Sequence, residues 1–161
     1  MPGNSVYILP NGNLIKCKRL NKKDDPIFAG GAGATVEIQS WDSELLYSFT
    51  LNNDTARLHH DVAPLPNGNI LMIAWEKFTR EQALQAGRNP ESLAREEIWS
   101  EMILEWNPAE DKIVWSWHVW DHLIQDEFSD KDNFGSIEEN KGKININYDE
   151  HDGHPDWLHI N

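Results

Sequence analysis

The string Leu9-Pro10-Asn11-Gly12-Asn13-Leu14 returns later in the chain as Leu65-Pro66-Asn67-Gly68-Asn69-Ile70. Internal self-similarity is the mark of a repeat architecture, so the fold reading starts here. Asn-Gly between apolar runs is the strongest short hairpin signal, and it predicts a type I′ turn with positive φ at both central residues. The first copy joins Val6–Leu9 to Leu14–Cys17, and the second joins Val62–Leu65 to Ile70–Trp75.

A second pair of segments recurs in the same order. Val36–Asp42, a turn and Leu45–Phe49 match Met102–Asn107, a turn and Ile113–Trp117. Both read as two strands with period-2 alternation around a polar turn. Each unit is thus hairpin plus hairpin, and four-stranded repeats with recurrent aromatic and glycine marks have the character of β-propeller blades. The expected fold is all-β, a partial β-propeller with one blade over residues 5–51 and another over 58–120. An open meander or a sandwich with accidental similarity is the alternative.

The second unit is longer, through a predicted helical insertion over residues 79–96. Thr79-Arg80-Glu81-Gln82 has the form of a capping box, and Gly87 can end the helix. Asn89-Pro90 reads as a further N-cap and first helical position, leading into Glu91–Arg95. Residues 126–156 form an acidic, polar stretch without periodicity, and 157–161 read as the start of a next blade. Two blades and a fraction cannot close a ring of roughly 4–8, so the expectation is an internal fragment whose remaining blades come from elsewhere in a longer chain.

Composition narrows the function classes. The 161 residues carry 14 Lys and Arg against 27 Asp and Glu, a formal charge of −13, which would be repelled by nucleic acid and by an anionic membrane. No apolar run approaches the roughly 20 residues of a membrane helix, and no signal peptide is visible at the N-terminus. A single cysteine, Cys17, excludes an internal disulfide framework and a cysteine-based zinc site. Eight tryptophans are several times the usual share.

Seven histidines are the main chemical resource. His59-His60-Asp61 precedes a predicted strand; one imidazole would face a cavity with Asp61 orienting it, or an Asp–His bond would simply pin a corner. His118 and Asp121-His122 read as polar partners at a Trp-rich edge. The run 149–156 is dense in potential metal ligands, yet it lacks a fixed-spacing motif and reads as a solvated loop, so no metal is called. Ala29-Gly30-Gly31-Ala32-Gly33 leads into a strand rather than a helix, which removes phosphate binding and leaves close backbone approach as its use.

Taken together, these residues resemble the bacterial aryl sulfotransferases that work without a nucleotide sulfate donor, a six-bladed propeller family. The likeness is carried in order by Tyr7–Leu14, Ala29–Gly33, His59–Val62 with Leu65–Asn69, Ala74-Trp75-Glu76, Trp117–Leu123 and Asp156-Trp157-Leu158-His159-Ile160-Asn161. The resemblance implies sulfuryl transfer from a phenolic sulfate ester to a phenol through a sulfo-histidine, with no cofactor. It assigns supporting catalytic roles to His60 (or His59) and His159, and expects the nucleophilic His and a sulfate-contacting Arg beyond Asn161. Asp61 and an exposed Trp157, stacking on a phenol ring, are the expected substrate contacts. It also implies export to the periplasm or beyond, a small-molecule phenolic partner, and no nucleic-acid or membrane partner. A non-catalytic propeller that binds an aromatic ligand or a protein is the alternative function.

Overall fold

A computed structural model describes residues 2–20, 27, 29–93, 95–148 and 154–161. Among the described residues the chain is all-β apart from one short helix and two 3-10 turns. The first sheet runs in sequential order β1 (Pro2–Ile8), β2 (Leu14–Arg19), β3 (Ala34–Gln39) and β4 (Leu45–Thr50), with each neighbouring pair antiparallel. The second sheet repeats that order with β5 (Ala56–Pro64), β6 (Ile70–Thr79), β7 (Glu97–Asn107) and β8 (Lys112–His118).

The two copies of Leu-Pro-Asn-Gly-Asn do form the connections β1–β2 and β5–β6, but not as type I′ turns. Gly12 and Gly68 take φ of 85° and 87°, while Asn11 and Asn67 are not among the residues with positive φ. Proline is the reason. Pro10 and Pro66 sit at the first central position, where the ring locks φ at about −65° and a type I′ turn needs a positive value. The Gly12 N–H donates to Leu9 O at 2.9 Å and Leu9 N–H to Asn13 O at 2.8 Å; Gly68 and Leu65 repeat both bonds at 3.0 and 2.8 Å. This is a three-residue loop closed by a glycine bulge. Asn11 and Asn67 side chains accept from the backbone N–H two residues on, at 3.1 and 3.0 Å.

The chain divides into two compact units, one of residues 1–75, 102–117 and 161, the other of 76–101 and 118–160. In the first unit, alternation sends Ile15 and Cys17 of β2 inward, together with Val36 of β3, Leu58 of β5, Met72 of β6 and Trp106 of β7. The glycine run serves a close approach, to the backbone of β5. A Cβ on Gly33 would lie 1.7 Å from His59 O, and the Gly33 N–H donates to Leu58 O at 3.1 Å. Buried Arg57 locks the same place, donating from Nε and Nη2 to Gly33 O at 3.0 and 2.8 Å and from Nη1 to Ile27 O. Strands β4 and β8 are largely exposed, with Leu45, Tyr47, Val114 and Trp115 open to solvent.

In the second unit, the capping box forms as the sequence predicts. Thr79 Oγ1 accepts from Gln82 N–H, and Gln82 Oε1 accepts from Thr79 N–H, opening α1 (Arg80–Gln85). Asn89 caps a single 3-10 turn over Pro90–Ser92 rather than a helix continuing to Arg95. Within the stretch read as aperiodic, β10 (Ile144–Asn145) pairs in parallel with β9 (Leu123–Ile124), which lies just ahead of it. Buried Gln125 organises the loop between them; its Oε1 accepts from Glu127 and Phe128 N–H and its Nε2 donates to Phe128 O and Asp132 O. The ligand-dense run 149–156 lies mostly outside the described residues, since 149–153 are not among them. Among the described residues, no helix is long and apolar enough to cross a membrane.

Candidate active site

His59-His60-Asp61 lies inside β5, not ahead of it. Alternation along a strand predicts opposite faces for the two imidazoles, but their ring centroids lie only 5.9 Å apart, and what separates them is burial. His59 is 1% exposed and packs on Trp75 with ring centroids 3.6 Å apart. His60 is half-buried, and its Nε2 donates to Asn161 Oδ1 at 2.9 Å, which makes Nδ1 its basic nitrogen. The Ser5 hydroxyl donates to His60 O at 2.6 Å and fixes the strand at this point.

Asp61 accepts from Tyr7 Oη at 2.6 Å and from Val62 N–H at 2.8 Å. Burial pushes the Asp61 carboxyl upward, but these donors, the Ser5 hydroxyl and the His60 charge outweigh it and hold it below the ordinary aspartate range. The Tyr7–Asp61 bond ties β1 to β5.

The C-terminal motif is built on β7. Trp99 N–H donates to Pro155 O at 2.7 Å, and Trp99 and Asp156 form a parallel bridge, so this segment extends alongside the strand. His159 is exposed, and its Nδ1 lies 3.0 Å from Asp156 Oδ2. A carboxylate only accepts, so Nδ1 carries the proton and Nε2 is the basic nitrogen. Trp157 is 3% exposed and has the Arg88 guanidinium 5.4 Å from its ring centroid. The expectation of an exposed stacking platform at Trp157 is corrected accordingly. Arg88 donates to Ile146 O, which ties the motif to the segment after β10.

His118 is half-buried and its Nδ1 lies 3.0 Å from Glu76 Oε2, next to Phe78 and Trp120 stacked at 3.6 Å. Asp121 and His122 lie within a 3-10 turn over Val119–His122. Sequence reasoning missed Asn161 and Glu101. Asn161 was visible as the last polar residue of the quoted motif. Glu101 gave no signal, because a lone acid in an apolar strand looks like an outward-facing residue.

The profile of the family described as Arylsulfotransferase (ASST) matches residues 10–161. The chain belongs to the arylsulfotransferase family. No curated protein and no solved structure gives a significant match. In this chain two imidazoles have tautomers set by a neighbour, His60 by Asn161 and His159 by Asp156.

Proposed function

We propose that the protein transfers a sulfuryl group from a phenolic sulfate ester to a phenol, with His60 and His159 as electrostatic and acid–base groups. The observation that carries this is the His60–Asn161 bond, which leaves His60 with Nδ1 as its basic nitrogen in a chain of the arylsulfotransferase family. In the first step the S–O bond to the departing phenol breaks as an N–S bond forms on a nucleophilic histidine, and a protonated imidazole gives its proton to the phenoxide. In the second step the acceptor phenol loses its proton to an imidazole, its oxygen attacks sulfur, and the N–S bond breaks. The transition state should be loose and in line, with charge on the peripheral oxygens, so cationic imidazoles and oriented donors stabilise it. The nucleophile is a further histidine by family resemblance. His59, packed on Trp75, supports His60 from behind.

The same reading takes the two consecutive four-stranded sheets as propeller blades and the protein as one that works outside the cytoplasm. Release of p-nitrophenol from its sulfate, with a phenol acceptor present, tests the chemistry in protein expressed from its natural reading frame. His60→Ala and His159→Ala should each lower turnover by about 10²-fold or more. Unchanged turnover in both would remove the assignment.

A further inference from the structure

The first half of β7 holds a carboxyl that the chemistry above does not use. Glu101 is 0% exposed, in a stretch from Ile98 to Met102 where every residue is buried. The Trp99–Pro155 bond and the Trp99–Asp156 bridge draw the C-terminal motif against it. One carboxylate oxygen of Glu101, one of Asp156 and one ring nitrogen of His159 lie within 4.8 Å of one another. Two carboxylates so close, one of them wholly out of water, do not both ionise. The proton belongs on the more deeply buried group.

We propose that Glu101 is a positioning residue for His159, a neutral buried acid whose O–H anchors the Asp156 carboxylate, which in turn fixes the imidazole with its proton on Nδ1. The proposal rests on the reading of His159 as an active-site group. Burial first, then the Asp156 charge, pushes the Glu101 carboxyl up to about 10, with the Ile160 N–H pulling the other way. The logic is that of a base oriented by a third group, carried one residue further back. Its chemical consequence is a single basic nitrogen, Nε2, held at one angle.

The experiment reads the histidine directly. In ¹⁵N-histidine-labelled protein, with His159 assigned by its loss in His159→Ala, the Nδ1–H tautomer should dominate over the Nε2–H form that water favours. Glu101→Gln keeps a donor and should keep the tautomer. Glu101→Leu removes the donor at similar volume; it should let the two tautomers mix and lower kcat on the order of 10²-fold, with KM changed little. A folded Glu101→Leu protein with the wild-type tautomer would overturn the proposal. So would a divalent metal ion retained one per chain after purification, because a cation would then hold the three groups together. Should the leucine variant not fold, the ¹³C shift of the Glu101 carboxyl in wild-type protein decides: protonated at pH 7 as expected, or ionised and the proposal fails. Turnover unchanged in His159→Ala would sink the catalytic reading while leaving the tautomer result standing.

Discussion

Glu101 makes stability depend on pH in an unusual direction. Its carboxyl is raised from 4.5 to about 10, so between those values the folded chain holds a proton that the unfolded chain releases. Stability contributed by this group is complete below the unfolded value and falls as pH rises, by up to about 1.4 kcal/mol per pH unit. Asp61 and Glu37 act oppositely. Burial raises both, but hydrogen bonds and charges from Tyr7 and Val62 on one, and Lys18 and Lys16 on the other, win and lower them. Their contribution is lost as pH falls. Urea unfolding at pH 5 and pH 8 should therefore show Glu101→Gln losing less stability with rising pH than wild type; equal slopes would place an ionised carboxylate at this site. The sequence offered the histidines by type and motif, and His60 and His159 indeed have defined partners. It could not offer Glu101, because the groups that act on that side chain, the Asp156 charge and the Ile160 N–H, lie in a segment remote from it along the chain.

Among the elements, the hairpins were legible and their geometry was not. The Asn-Gly signal outweighed the proline beside it, although a residue whose φ is locked at about −65° already excludes the turn it suggested. The region from 123 to 148 was opaque for a different cause. Its order comes from bonds between side chain and distant backbone, such as Asn147 Nδ2 to Gly87 O at 3.0 Å and Asn133 Nδ2 to Ala86 O at 3.1 Å, which leave no periodic trace. The turn geometry makes a prediction of its own. Gly68 has open space around a hypothetical Cβ but φ of +87°, so Gly68→Ala should cost about 1–2 kcal/mol from backbone strain alone. Thermal unfolding checks it, and an unchanged midpoint would mean the turn had switched type.

For the whole molecule, the all-β class followed from the repeated hairpins and the family from motifs in a shared order, and the partial propeller remains the proposal that best accounts for the repeats. Strands β4 and β8 show apolar side chains to water on a scale that isolated surface residues do not; Leu45 is 52% exposed, Val114 49% and Trp115 47%. Open apolar strands at sheet edges are sites of association. Sedimentation of the 161-residue chain should show concentration-dependent self-association, weakened in the double variant Leu45→Lys, Val114→Lys without loss of β-sheet circular dichroism. A monomer at all concentrations would mean that the charge of −13 suffices to keep the copies apart.

The two proline-glycine loops also bear on how the chain reaches this state. Each reverses direction within a short span, using conformations that the unfolded polypeptide already favours at those positions. Both sheets can consequently begin from contacts close in sequence, without waiting for a distant strand to arrive. A rate-limiting barrier that already contains these reversals would slow refolding when either is damaged and leave the escape rate from the native basin nearly untouched.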